Sequence, residues 1–177
     1  MTDLWVFGYA SLMWRPGFPF VEKHRAMLFG YHRALCIRSW EHRGTRKRPG
    51  LVMGLDRGGA CVGIAFRVAA KDRDATLAYL RERELITKVY REHTGRIMLP
   101  GNKRIDAVTY VADRTHIQYA GKLDVAHAVD QVCGAVGGAG PNEEYVLNTA
   151  EHIRDLGIRD HWLEEVERHV RARMSAK

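Results

Sequence analysis

Long apolar runs are missing from the 177 residues. No stretch approaches the ~18–20 apolar residues that a membrane-spanning helix needs, so no membrane association is expected. The opening Met1-Thr2-Asp3-Leu4-Trp5-Val6 has neither a basic segment nor a long apolar one, so no secretory leader is expected either. Cysteine is scarce. Cys36, Cys61 and Cys133 are odd in number, far apart and without a CxxC pair. That argues against a disulfide framework and a zinc site, and makes a reducing cytoplasm the default location. Histidine is plentiful at nine, yet no HExxH or other close ligand pair occurs, so no metal site is expected. GxGxxG and GK[ST] are both absent, which leaves a nucleotide site unsupported. The glycine-rich Gly134–Gly140 stretch lacks the lysine of a phosphate-binding loop and reads as a link between helices. There is no internal repeat and no low-complexity linker.

What is present describes a folded domain. Hydrophobic residues make up 46% and charged residues 28%, values that exclude a disordered chain. The length fits a single domain spanning residues 1–177. The net charge of +7 fits either a nucleic-acid partner or an acidic small substrate. It is unevenly spread. From Asn142 onward there are eight acidic and six basic residues, a net of −2, so residues 1–141 carry +9. Part of the excess lies in residues 38–48, which hold five Lys and Arg together with Trp40. Basic charge beside an aromatic could stack on single-stranded nucleic acid. No recognised nucleic-acid motif accompanies it, so no such partner is expected.

Leu4-Trp5-Val6-Phe7 reads as a buried strand stopped by Gly8, with Tyr9-Ala10-Ser11-Leu12 as the loop after it. Residues 26–37 read as one long or broken strand bent at Gly30. Leu51–Leu55 and Cys61–Val68 flank Asp56-Arg57-Gly58-Gly59, a hairpin signal. A second hairpin is expected around Pro100-Gly101-Asn102-Lys103. Between the hairpins Asp72 can cap a helix in which Leu77, Leu80 and Glu84 recur at helical spacing. Three helices follow, at about 124–134, 143–156 and 160–173. Asn142 and Asp160 are candidate caps for the last two, and Gly157 ends the middle one. Strands first and helices later indicate an α+β fold with a mainly antiparallel sheet or barrel.

Glu84 is the most informative residue. A carboxylate on an apolar helix face is costly to bury. Either it is paired in a salt bridge at the helix end, with neighbouring Arg81 or Lys88, or its pKa is raised and it works as a base or acid. Glu82 falls on another face and should be solvated. Gly8-Tyr9-Ala10-Ser11-Leu12 could aim several backbone N–H groups at an anion, with the Ser11 hydroxyl as a further donor, or could be a plain connection. Arg38, Ser39, His42 and Arg43 cluster near a strand end, either to bind an acidic ligand or as a solvated loop. Tyr145, one turn into its helix, either offers its phenol to a ligand or belongs to the core.

Together these segments resemble the ChaC-type γ-glutamylcyclotransferases. Trp5-Val6-Phe7-Gly8-Tyr9-Ala10-Ser11-Leu12-Met13-Trp14 is similar to the family's N-terminal signature. The likeness continues through Gly30-Tyr31-His32-Arg33, Arg38-Ser39, His42-Arg43-Gly44-Thr45 and Arg48-Pro49-Gly50-Leu51-Val52. It runs on through Tyr79-Leu80 with Arg83-Glu84, Gln118-Tyr119-Ala120-Gly121, Asn142 with Tyr145, Leu147-Asn148-Thr149, and Leu156-Gly157-Ile158-Arg159-Asp160. The resemblance implies a mixed, mainly antiparallel β-barrel surrounded by helices. It implies cleavage of glutathione to 5-oxoproline and cysteinylglycine, without metal or organic cofactor, or the same cyclisation on other γ-glutamyl amino acids or amines. It assigns the catalytic glutamate to Glu84, the substrate-binding loop to Val6, Phe7, Gly8, Tyr9, Ala10 and Ser11, and a bordering tyrosine to Tyr145. Arg38 and Ser39 join the candidate substrate-binding set.

The chain departs from this pattern at Ala10, where family members commonly have glycine. If the loop needs a positive φ there, alanine costs free energy or shifts an N–H. A slightly altered loop is the expectation, with consequences for rate and substrate range.

Overall fold

The computed structural model describes residues 1–176. The chain forms two compact units. The first comprises Met1–Arg33 and Leu55–Asp113, and the second comprises Ala34–Gly54 and the residues from Arg114 on.

A closed five-stranded barrel is built from β1 (Leu4–Gly8), β2 (Glu22–Ser39), β3 (Gly50–Val68), β4 (Tyr90–Leu99) and β5 (Lys103–Ala112), and the first unit holds all of it but residues 34–39 of β2 and 50–54 of β3. The strand order is β1-β3-β2-β4-β5. β1 pairs antiparallel with β3 from Leu4↔Val68 to Gly8↔Ile64. β2 pairs antiparallel with β4, and β4 with β5. The parallel contact Val6↔Val108 joins β1 to β5. The sheet is therefore mixed and mainly antiparallel, as expected. Val6, Phe7, Leu28, Leu55, Phe66, Ile97 and Tyr110 are buried, and burial of such side chains is the main force holding the unit together. A Cβ on Gly63 would sit 2.2 Å from the Gly8 carbonyl oxygen, so the end of β1 can lie against β3 only because residue 63 has no side chain.

The expected hairpin at Asp56–Gly59 is not formed. β3 runs without interruption from Gly50 to Val68. Gly58 (φ 106°) and Gly59 (φ 71°) take the left-handed conformations a turn would need, but they bend one strand instead of reversing the chain. The hairpin at Pro100–Asn102 does form, and its strands pair over ten positions from Tyr90↔Ala112 to Leu99↔Lys103. The bend expected at Gly30 is also present, with φ 86°.

α1 (Arg73–Glu84) lies between β3 and β4. Its buried residues are Thr76 and Leu80, and Glu84 follows them at the same spacing of four, so one stripe of the helix leads into the carboxylate. Asp72 stands at the N-cap, but its side chain makes no capping hydrogen bond.

The second unit contains the ends of β2 and β3 that belong to it, α2 (Val125–Val132), the two-residue strands β6 (Val136–Gly137) and β7 (Gly140–Pro141), α3 (Asn142–Asp155) and α4 (His161–Ser175). Asp124 caps α2 by accepting from the His127 N–H, and Asp160 caps α4 by accepting from the Leu163 N–H. α3 ends before Gly157, whose φ is 71°. Asn142 does not cap α3. It is the first helical residue, fully buried, and its amide acts as a strand neighbour. Oδ1 accepts from the Leu51 N–H at 2.7 Å and Nδ2 donates to the Leu51 carbonyl at 2.8 Å. No helix among the described residues is long and apolar enough to cross a membrane.

Candidate functional site

The first unit positions a carboxylate beside a loop. β1 carries the chain out of the sheet at Gly8, and a single 3-10 turn, Ser11–Met13, follows. Val6 and Phe7 are fully buried and lie in the β1 ladder, so their side chains serve the core. Tyr9 is buried, Ala10 is half-buried, and Ser11 is exposed. The surface of this segment therefore begins at Ala10 and Ser11.

The first bond of the turn is donated by the Met13 N–H to the Ala10 carbonyl at 2.8 Å. The N–H groups of Ala10, Ser11 and Leu12 precede it and have no acceptor within the turn. Two carbonyls of the segment are fixed by side chains. Thr109 donates from its hydroxyl to the Phe7 carbonyl at 3.0 Å. Arg33, itself buried, donates from Nε to the Tyr9 carbonyl at 2.6 Å and from Nη2 to the Val62 carbonyl at 2.7 Å. A charged donor on a buried carbonyl is a strong constraint, and it sets where the loop leaves the barrel. The sequence named Arg33 only within a matching segment. An arginine on a strand otherwise reading as apolar was the available signal.

Ala10 has φ −137°, so the positive φ that would call for glycine is not found. The condition under which alanine would strain the loop is therefore not met.

Glu84 closes α1 with its side chain 17% exposed. Burial pushes its carboxyl above the ordinary value of 4.5, and the neighbouring Arg83 works in the opposite direction with less effect. Arg83 Nε lies 3.4 Å from Glu84 Oε1. The cation beside Glu84 is thus Arg83, not the Arg81 or Lys88 that the sequence offered. The rest of the Arg83 fork is occupied. Nη1 donates to the carbonyls of Arg15 and Pro16 and to the Tyr79 hydroxyl, and Nη2 donates to Ser11 Oγ at 3.0 Å. One guanidinium thereby ties the loop after β1 to the end of α1. Glu82 is exposed, as expected.

The remaining candidates belong to the second unit. Ser39 is buried and its hydroxyl accepts from the Arg43 N–H at 2.9 Å. Arg38 donates to the Tyr119 carbonyl at 3.1 Å, and its backbone is bonded to Gln118 in both directions. The Tyr145 hydroxyl accepts from the Met53 N–H at 2.9 Å, and the Arg43 guanidinium stands 5.7 Å from its ring centre. Each of these side chains has a visible structural task.

The basic stretch is largely engaged within the unit. Arg43 donates to the Pro141 carbonyl, Arg48 to those of Asp130 and Cys133, and Arg46 stacks on Trp40 at 4.4 Å. Among the described residues, no group of three His, Cys, Asp or Glu side chains could hold a metal ion.

Comparison with known proteins gives a consistent pattern. The family model described as ChaC-like protein matches residues 4–173. The glutathione-specific gamma-glutamylcyclotransferase of Escherichia coli is 31% identical over 163 residues, covering 92% of this chain and 71% of that protein. Gamma-glutamylcyclotransferase 2-3 of Arabidopsis thaliana is 30% identical, covering 95% and 88%. Glutathione-specific gamma-glutamylcyclotransferase 1 of Homo sapiens is 32% identical, covering 87% and 71%. The crystal structure of a yeast gamma-glutamyl cyclotransferase specific to glutathione superposes with a TM-score of 0.85 over 97% of both chains at 18% identity, which is a likeness of fold.

Proposed function

The chain belongs to the ChaC-like family, and from that premise we propose that it is a γ-glutamylcyclotransferase that cleaves glutathione to 5-oxoproline and cysteinylglycine, with Glu84 transferring the proton. The observation that carries this reading is the half-buried Glu84 carboxylate at the end of α1, joined through Arg83 to the loop that begins at Gly8.

The reaction is an intramolecular aminolysis. The α-amine of the γ-glutamyl group attacks its own γ-carbonyl, a five-membered lactam closes, and the bond to the cysteine nitrogen breaks. The substrate supplies the nucleophile, so no activated Ser or Cys of the protein is required. What the protein must supply is proton transfer and orientation. The attacking amine must lose a proton and the departing amine must gain one. A single carboxylate within reach of both nitrogens does both, and a pKa raised toward neutrality makes it a better base. In this reading Glu84 takes the proton from the attacking nitrogen and returns it to the leaving one. The N–H groups of the Gly8–Ser11 loop hold the substrate's carboxylate and limit rotation of the glutamyl chain. Cyclisation needs one folded rotamer among several, so holding it lowers the barrier. Donors from the same loop can also stabilise the oxyanion as it develops. The positive balance of residues 1–141 favours approach of a substrate with two carboxylates and one ammonium. No metal, organic cofactor or nucleic acid enters this scheme. Three buried, free cysteines suit work in a reducing cytoplasm, where a thiol substrate persists.

The deciding experiment is incubation with glutathione, followed by detection of 5-oxoproline and cysteinylglycine in equal amounts. Activity should persist in EDTA. A parallel panel of γ-glutamyl amino acids and amines reads the same 5-oxoproline. Preference for a panel member over glutathione would replace the substrate, and no 5-oxoproline from any of them would refute the reading.

A further inference from the structure

The last turn of α1, Arg81-Glu82-Arg83-Glu84, holds two cations and two carboxylates, of which Glu82 is exposed to solvent. Arg81 and Glu84 are three positions apart, the spacing at which helical side chains meet. An unengaged Arg81 would therefore pair with Glu84. It is held elsewhere. Arg81 Nε donates to Glu92 Oε2 at 2.7 Å and Nη2 to Glu92 Oε1 at 2.8 Å, a two-pronged pair in which both carboxylate oxygens are occupied.

Glu92 is itself anchored. It lies on β4 directly opposite Tyr110 of β5, and the Tyr110 hydroxyl donates to its Oε2 at 3.2 Å. Tyr110 is fully buried. Burial and the Glu92 charge both push its phenol above the ordinary value of 10, so it stays a neutral donor across the physiological range. Arg81 is thus clamped onto two barrel strands by a carboxylate whose own place is set from the core.

We infer that Glu92 is a positioning residue for the reaction, holding Arg81 on the barrel wall and so keeping that cation away from Glu84. The inference rests on Glu84 as the proton-transferring group. The charged and titratable groups that interact with Glu84 are Arg83 on its own helix and Tyr110 on β5, whose phenol feels the Glu84 charge, while Arg81 is bonded to Glu92 on β4. Arg83 already favours the ionised carboxylate, but most of its fork is engaged by the loop. A second guanidinium would favour ionisation further and weaken the base. The pair has little value as a surface salt bridge, because Arg81 is 53% exposed. Its consequence lies in where it leaves the cation.

The test uses carboxyl-carbon NMR titration of Glu84 and kcat measured against pH on the full chain. The Glu84 resonance is assigned from its absence in Glu84→Gln. Glu92→Gln keeps an acceptor for Tyr110 but removes the charge that holds Arg81. Its Glu84 midpoint and the acidic limb of kcat should both move down by roughly half a unit to one unit, with kcat reduced and KM little changed. Adding Arg81→Met should return both to the parent position. A purely structural role for Glu92 would not be rescued by removing Arg81. An unmoved midpoint in Glu92→Gln, or a double variant that stays displaced, overturns the inference. Full turnover by Glu84→Gln would instead remove Glu84 as the base, and the NMR midpoints would still decide whether Glu92 governs Arg81.

Discussion

Arg83 Nη2 donates to Ser11 Oγ at 3.0 Å, across 72 positions of the chain. The same guanidinium presents Nε 3.4 Å from Glu84 Oε1. The exposed tip of the loop after β1 and the end of α1 therefore share one rigid connector. A displacement of the loop moves the cation that opposes burial at Glu84. Loop geometry and carboxylate basicity are coupled through one side chain, and the following outcomes depend on that arrangement.

Replacing Glu84 with glutamine keeps the shape and removes the basicity. Turnover of glutathione should fall by roughly 10²–10⁴-fold, the usual scale of general-base loss, with the far-UV spectrum unchanged. In the parent, kcat should decline as pH drops through the raised pKa of Glu84, placing the acidic limb above the ordinary 4.5. Steady-state rates from pH 4 to 9 check both points. A variant that turns over like the parent would exclude Glu84 as the base.

The same substitution should stabilise the protein at neutral pH. The folded-state pKa of Glu84 is raised, so between 4.5 and that value the folded chain binds more protons than the unfolded one. Stability then falls as pH rises through this window and is fully recovered below it. Glu84→Gln removes the titrating group. Its Tm should exceed the parent's above the raised pKa, and the gap should close as pH approaches 4.5. A Tm difference independent of pH would mean that burial does not shift this carboxyl.

The fold was legible wherever periodicity and chain punctuation agreed. The Pro100–Asn102 turn and the three later helices lie close to their expected places. The failure at Asp56–Gly59 has a definite cause. Consecutive glycines with positive φ serve a strand bend as well as a hairpin turn, and only the pairing partners distinguish the two. Asn142 failed differently. Asparagine at a helix start usually caps it, but here its amide completes the hydrogen bonding of Leu51, a partner 91 residues away. At Glu84 the buried carboxylate was readable from the helix stripe. The identity of its cation was not, because Arg81 is drawn off by Glu92 on a strand. Local signals name the unusual residue, while tertiary placement chooses its neighbour.

Ala10 permits a direct check on the loop. A glycine there would not serve a positive φ, since residue 10 sits at φ −137°. It adds conformational freedom to the unfolded chain instead, at a cost of about 0.4–1 kcal/mol. Ala10→Gly should therefore lower stability slightly and leave kcat and KM for glutathione at parent values. A marked gain in kcat would show that the methyl group, not the backbone, restricts the reaction.

Arg33 should separate loop placement from the chemistry itself. It is a buried cation whose fork holds the Tyr9 and Val62 carbonyls. Arg33→Met leaves both acceptors buried without that donor, a loss of about 2–4 kcal/mol in urea unfolding. The Tyr9 carbonyl then no longer fixes the exit from β1, and the N–H groups after it lose their direction. On the proposed roles, in which those groups hold the substrate and Glu84 moves the proton, KM should rise more than kcat falls. Arg33→Lys supplies one point donor in place of a fork and should lie between parent and Arg33→Met in both stability and KM. If stability drops while KM stays at the parent value, the Arg33–Tyr9 bond supports the barrel and not the binding loop.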